Sequence, residues 1–264
     1  MQLFTIFGNP VSHSKSPLMH NLAFKGLNYN GCYTRYKLED GTQLRKKMLD
    51  LNIKGANITV PHKEDAFRAC DELDIFAKLV KSVNTIINKD GKLYGYNTDA
   101  PGFLQSISML KELREILILG AGGTAKSTAV VLKEAGYNVT ILNRSEGRLE
   151  QFKNDGFTTY SFDTFKNIKN YDLIVNMTSA GLEEDTLPAP LDILKHTLPN
   201  SQMAIDIIYG KETPFLKLAK SYGIPTADGS SMLLNQGVLA FEYFTDKKFK
   251  FEEIKVEMQK AFLL

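Results

Sequence analysis

Short apolar runs alternate with amphipathic stretches of helical period along the chain. That pattern belongs to an α/β protein with mostly parallel sheets. In the N-terminal part, strands are expected at 3–7, 33–37, 55–60 and 84–88, with helices over 17–25 and 43–51. After Asp99-Ala100-Pro101-Gly102, an amphipathic stretch over 103–113 opens a second series. Its strands are expected at 115–119, 138–142, 172–176 and 203–207, apolar almost throughout, as strands covered on both faces must be. Helical spacing returns over 231–244 and 251–264. Boundaries near 99–102 and 229–230 divide the chain into a first domain over 1–100 and a second over 101–230. Periodicity alone does not say where the last helices pack.

Composition narrows the function classes. The 264 residues are 43% hydrophobic and 23% charged, enough apolar material for a sizeable core and far from a disordered composition. A formal net charge of +2 with both signs interspersed argues against a nucleic-acid or membrane-surface binder, while leaving room for a local basic pocket. Cys32 and Cys70 match no metal or redox spacing and read as buried thiols in a reducing cytoplasm. No His/Cys/Asp cluster suggests a metal. The first eight residues read as a strand entering a turn and not as a leader, and no run approaches membrane-span length, so a cytoplasmic protein is expected.

The clearest chemistry lies in the second series. Residues 115–119 form an apolar strand that runs into Gly120-Ala121-Gly122-Gly123-Thr124-Ala125, and a helix is expected from there to about 135. A glycine-rich turn alone is weak, but a strand before it, a helix after it and a second strand at 138–142 supply a dinucleotide site's context. Gly120 permits the tight turn, Gly122 lets backbone approach a pyrophosphate, and Ala125 keeps helix and strand close. The helix N-terminus offers free N–H groups to phosphate. The next strand ends in Asn143-Arg144-Ser145, followed by Arg148, where an NAD site usually carries a carboxylate for the ribose hydroxyls. An arginine fork there suits a 2′-phosphate, which points to NADP.

Four clusters in the first half carry more polar chemistry than a scaffold needs. Ser14-Lys15-Ser16-Pro17 gathers hydroxyls and a lysine before a helix, where free N–H groups would suit a carboxylate, although a serine cap explains it equally well. Asn57-Ile58-Thr59-Val60-Pro61-His62-Lys63 ends a strand in polar side chains and a lysine. Val83-Asn84-Thr85 opens another with an amide, and Asn97-Thr98-Asp99 places an aspartate at the domain boundary.

Together with the dinucleotide unit, these stretches resemble the shikimate dehydrogenase family over essentially the whole chain. Further matches are Asn176-Met177-Thr178-Ser179, Asp206-Ile207-Ile208-Tyr209, Thr213-Pro214-Phe215-Leu216, Asp228-Gly229 and Asn235-Gln236. The resemblance implies a two-domain α/β chain. A Rossmann-type NADP domain joins an α/β substrate domain with a mostly parallel sheet, which residues 231–264 complete. It implies NADP-dependent, reversible reduction of 3-dehydroshikimate to shikimate in aromatic amino-acid biosynthesis, by a monomer or homodimer. Lys63 then matches the acid/base lysine, with Asp99 beside it. Ser14 and Ser16 match carboxylate ligands, and Asn57, Thr59, Asn84, Asp99 and Gln236 match groups that hold ring hydroxyls; Tyr209 lines the same site. Gly120, Ala121, Gly122, Gly123, Thr124, Asn143, Arg144 and Arg148 match cofactor contacts, with Ile207 and Gly229 beside the nicotinamide. The alternatives are a quinate/shikimate dehydrogenase with relaxed cofactor use, and a non-catalytic NADP sensor on the same fold.

Overall fold

The computed structural model describes residues 1–166 and 169–263. They form two compact units, Met1–Gly102 together with the segment from Leu233 onward, and Phe103–Met232.

In the first unit the strands are β1 (Gln2–Gly8), β2 (Gly31–Lys37), β3 (Ile53–Ile58), β4 (Glu72–Leu73), β5 (Thr85–Lys89) and β6 (Lys92–Tyr96). The helices among them are α1 (Ser16–Gly26), α2 (Leu44–Asp50), α3 (Lys63–Ala69) and α4 (Ile75–Val80), and α5 (Asp99–Ile107) leads into the second unit. There follow β7 (Glu115–Leu119), α6 (Gly123–Glu134), β8 (Asn138–Asn143), α7 (Glu150–Asn154), β9 (Thr158–Ser161) and β10 (Leu173–Asn176). The second unit continues with α8 (Leu191–Thr197), β11 (Met203–Asp206), α9 (Pro214–Ser221) and β12 (Thr226–Ala227). The chain then returns through α10 (Ser230–Phe244) and α11 (Phe251–Gln259).

The first sheet runs β2-β1-β3-β5-β6-β4. Strands β1, β2 and β3 are parallel, β5 is antiparallel to both β3 and β6, and β4 is parallel to β6. Alternation along β1 dictates its two faces. Phe4 and Ile6 pack with Met19 and Phe24 of α1, Phe241 of α10 and Ile254 of α11, whereas Phe7 points to the opposite face with Leu44, Met48 and Ala66. Antiparallel β5 was legible in its apolar run, but β6 was not anticipated. Its signal is Asp90-Gly91, both at positive φ, a two-residue hairpin loop of the mirror-image type that matches strand twist. Helices α3 and α4 and the short strands β4, β9 and β12 also escaped the periodicity, being too brief to display one. Two expected helices are corrected. The stretch at 103–113 is helical only as part of Asp99–Ile107, with Glu112 at φ 61° beyond its end. The last helix stops at Gln259 and gives way to a tight turn over Lys260–Phe262; residue 264 lies outside the described residues. Cys32 and Cys70 are unpaired and only half-buried, and burial pushes the Cys70 thiol up to about 12.

The second sheet runs β12-β11-β10-β7-β8-β9 with every pair parallel. Numbered from β7 as strand one, this is the doubly wound order 3-2-1-4-5-6 of the dinucleotide fold. The connections reverse direction between β7 and β10. On one face Leu117, Leu142 and Ile174 pack against Leu194 of α8 and Phe215 of α9.

Candidate active site

In open α/β sheets, ligands settle beyond the carboxyl ends of the strands, where the connections part to either side. In the first sheet that point is the β1/β3 edge, and the pairing brings three further segments to it. Asn57 near the end of β3 pairs with Thr85 at the start of antiparallel β5, and Thr85 pairs with Tyr96 at the end of β6. The clusters over 8–17, 57–63, 84–85 and 97–99 therefore meet at one edge of one sheet.

Lys63 opens α3 and Asp99 opens α5. Lys63 Nζ donates to Asp99 Oδ2 at 2.6 Å, with the two side chains 25% and 14% exposed, so the pair is partly screened and still within reach of a ligand. Thr59 is held by its backbone N–H to the Phe7 carbonyl at 2.9 Å, and its methyl lies where a Cβ on Gly8 would be, only 2.2 Å away. Gly8 is thus what lets β1 pass so close to Thr59. Asn57 and Asn84 are buried, and the Asn57 amide donates to the Asn84 carbonyl at 3.3 Å. Gln236 stands on α10, its amide tied to the Leu233 carbonyl, and its backbone touches Gly102 closely enough that any Cβ there would collide.

The serine loop departs from a simple cap. The cap position of α1 is Lys15, and no side chain caps the helix. Ser14 Oγ accepts from the Ser16 N–H at 3.2 Å, and Arg35 donates to the Ser14 carbonyl at 2.7 Å. Neither Arg35 nor Tyr33 was singled out by sequence reading. The Tyr33 hydroxyl donates to Asn57 Oδ1 at 2.6 Å; burial raises its pKa well above the ordinary value, with Asn57 and Ser16 opposing.

Tyr33 stacks on His20, ring centroids 4.3 Å apart and planes within 3°. His20 is fully buried, and neither ring nitrogen has a hydrogen-bond partner among the described residues. Burial pulls its imidazole down from 6.5 to about 3, opposed by the nearby Asn57 amide. From pH 6.5 down to about 3, an unfolded chain takes up a proton that the folded chain refuses, so stability is lost as pH falls through that window. At about pH 5 the loss is about 2 kcal/mol. Denaturant titrations near pH 7 and pH 5 should show this loss in the parent protein and far less of it in His20→Leu. An equal pH dependence in both would dissociate acid lability from His20.

In the second unit, a cavity of about 1010 Å³ opens at the β7/β10 switch point. Gly120, Ala121 and Gly122, then Asn143, Arg144 and Arg148, line it together with Met177 to Ala180 and the 182–190 loop, which includes Glu183 and Glu184. Gly120 has φ +106°, and a Cβ there would meet Thr178 at 2.8 Å, so glycine is required on both counts. A Cβ on Gly122 would meet no protein atom and would project from the cavity wall. Gly123 and Thr124 form the first turn of α6 without lining the cavity. The first turn of α6 has no side-chain cap, which leaves its N–H groups to a ligand. Arg144 and Arg148 are exposed and form no ion pair with a carboxylate among the described residues. The Asn143 amide ties the turn, donating to the Ser145 carbonyl at 2.9 Å.

Behind the cavity lies a network the sequence did not announce as a site. The buried Asp206 accepts from Asn176 Nδ2 at 2.9 Å, Thr213 Oγ1 at 2.7 Å and the Ile208 N–H at 3.0 Å. Burial raises its pKa against those bonds. Asn176 in turn accepts from the Thr178 N–H and hydroxyl, which fixes the cavity wall. Ile207 and Gly229 stand together next to this network and not on the cavity, with the Gly229 N–H on the Ile208 carbonyl and no room for a Cβ against Ile207. Tyr209 is half-buried, which raises its phenol pKa.

Comparison with known proteins agrees with this geometry. The shikimate dehydrogenase substrate-binding domain matches residues 6–86, and a ketopantoate reductase PanE/ApbA family model matches residues 116–193, most of the nucleotide-binding unit. A shikimate dehydrogenase (NADP(+)) of Helicobacter hepaticus is 41% identical over 98% of this chain and 97% of its own length. The chain belongs to the shikimate dehydrogenase family. A Helicobacter pylori member is 40% identical over 99% of both chains. The Thermus thermophilus shikimate 5-dehydrogenase, solved in complex with NADP(H) and shikimate, superposes with a TM-score of 0.87 at 32% identity, covering 99% of this chain and all of that one. No helix among the described residues is long and apolar enough to cross a membrane.

Proposed function

We propose that the Lys63–Asp99 pair is the acid/base centre of this chain, which is an NADP-dependent shikimate dehydrogenase interconverting 3-dehydroshikimate and shikimate. The 2.6 Å contact between those side chains, amid buried amides and hydroxyls, is the observation that carries the reading. Reduction of a ring ketone needs a positive group at the oxygen and a proton for it. The Lys63 ammonium supplies both, and Asp99 fixes its Nζ. In the reverse direction the neutral amine receives the hydroxyl proton. Ser14 and Ser16 bind the carboxylate beside the open helix start of α1, and Asn57, Thr59, Asn84, Asp99 and Gln236 hold ring hydroxyls.

The residues of the second unit fit NADP. Gly122 leaves space where a side chain would intrude, the first turn of α6 is uncapped, and Arg144 with Arg148 offers unpaired cations at the strand end where a carboxylate would repel a 2′-phosphate. Gly120, Ala121, Gly122 and Asn143 line that pocket, Gly123 and Thr124 contribute the first turn of α6 to the cofactor, and Ile207 and Gly229 border the nicotinamide. When bound, the dinucleotide supplies or takes up hydride at the ring carbon. The unpaired Cys32 and Cys70 suit a reducing compartment.

Mixing the protein with shikimate and NADP should raise nicotinamide absorbance, with NAD a poor substitute and quinate a poor substrate. No absorbance change with freshly prepared protein would overturn the reading. Equal rates with NAD would overturn only the assignment to Arg144 and Arg148.

A further inference from the structure

A buried line of polar side chains runs along the sheet edge behind the proposed substrate groups. Tyr33 donates to Asn57 Oδ1, and Asn57 Nδ2 donates to Thr85 Oγ1 at 3.1 Å and to the Asn84 carbonyl. Thr85 donates to Asn84 Oδ1 at 3.1 Å. The same oxygen accepts from the Thr98 backbone N–H at 2.8 Å, and Asn84 Nδ2 donates to Thr98 Oγ1 at 3.0 Å. Thr98 directly precedes Asp99 in the chain.

Backbone partners fix both amides unambiguously. A peptide N–H only donates, so the oxygen of Asn84 must face Thr98. A peptide carbonyl only accepts, so the nitrogen of Asn57 must face Asn84. The consequence is an asymmetric pair. Both N–H bonds of Asn57 are committed, and what it has left is a lone pair on Oδ1. The oxygen of Asn84 is committed twice, and what it has left is an N–H. Thr85 is the side chain that touches both, accepting from one and donating to the other, and it is completely buried.

We infer that Thr85 is a positioning residue that locks the Asn57–Asn84 pair in the hydrogen-bond polarity its backbone partners select, so that Asn57 accepts from one substrate hydroxyl and Asn84 donates to another. The inference rests on the substrate reading given above. A hydroxyl is both donor and acceptor, so fixed polarity at two sites imposes one orientation on a ring that carries several hydroxyls. Loss of the Thr85 hydroxyl leaves Asn57 Nδ2 and Asn84 Oδ1 each short of a partner inside the fold, and free to turn toward the ligand.

The test is Thr85→Val, which keeps the shape without the hydroxyl, beside Thr85→Ser, which restores it. The valine variant should raise KM for shikimate and lower kcat/KM roughly ten- to a hundredfold, the scale of one or two buried polar groups left unsatisfied. KM for NADP should stay the same. Discrimination against shikimate analogues lacking one ring hydroxyl should shrink in Thr85→Val and return in Thr85→Ser. Thr85→Cys, similar in size with a weakly bonding thiol, gives the same comparison should the valine variant not fold. An unchanged KM and unchanged discrimination in Thr85→Val overturns the inference while the parent's turnover of shikimate stands. Equal impairment of the serine and valine variants also overturns it, by reducing Thr85 to packing. No shikimate turnover by the parent protein removes both this inference and the reading beneath it.

Discussion

Lys63→Met should lower kcat for shikimate oxidation by roughly 10²–10⁴-fold, the usual contribution of a positioned acid/base group. Methionine keeps most of the stem's length and removes the charge and the donors together. If Lys63 has the proposed role, the effect should fall on turnover, because it would then meet the oxygen whose charge changes in the transition state, whereas the carboxylate proposed for Ser14 and Ser16 does not react. The fold should survive the change. Breaking a fully buried ion pair costs several kcal/mol because it strands a charge, but these side chains are 25% and 14% exposed. The stranded carboxylate of Asp99 also stays in the first turn of α5, where the helix N-terminus favours an anion by about 0.3–1 kcal/mol. Steady-state rates with shikimate and NADP, set against thermal melts of the same variant, separate the two effects. A kcat within a few-fold of the parent would end the assignment of Lys63. A collapse of the melting temperature would mean instead that the pair holds the sheet edge together.

Much of this site is legible in the residues because it is made of strand ends and helix starts, which leave local signals. Gly120-Ala121-Gly122 between an apolar strand and a helix specifies a tight turn, and Asn143-Arg144 at the next strand end specifies the charge beside it. Asn57, Asn84 and Asp99 are conspicuous as polar residues next to apolar runs. What brings them together is not local. The antiparallel course of β5 depends on the Asp90-Gly91 hairpin and on pairing with β3, and without it the amides of residues 57 and 84 would lie at opposite edges. Tyr33, and a role for the Thr85 hydroxyl, were missed for a related reason. On a strand, an inward tyrosine or threonine reads as ordinary β-propensity, and only the partners across the sheet reveal a committed hydroxyl. The Asp206 network is the same case in the second unit. An aspartate at a strand end reads as turn chemistry until Asn176 and Thr213, from distant segments, are seen to converge on it.

Arg144→Ala should raise KM for NADP roughly ten- to a hundredfold and leave any activity with NAD almost unchanged. The size of this effect decides between two physical accounts. An exposed ion pair contributes about 0.2–1 kcal/mol, less than about fivefold, and fades with salt. A guanidinium that forks onto a doubly charged phosphate makes charge-assisted bonds of about 1.5–3 kcal/mol. Arg144 is exposed, which favours the small figure, but it lines the cavity at the strand end, with Arg148 on the same wall and no carboxylate bonded to either among the described residues. A fork that is not already occupied loses little on turning to a ligand, so the larger figure is expected. Arg144→Lys should recover part of the loss, since a point charge replaces the charge without the paired geometry. Raising ionic strength should weaken NADP binding to the parent more than to Arg144→Ala. A change below about fivefold, abolished by moderate salt, would make Arg144 an exposed counter-charge. Selection against NAD would then have to come from Arg148 or Asn143, and the double variant Arg144→Ala with Arg148→Ala would show which.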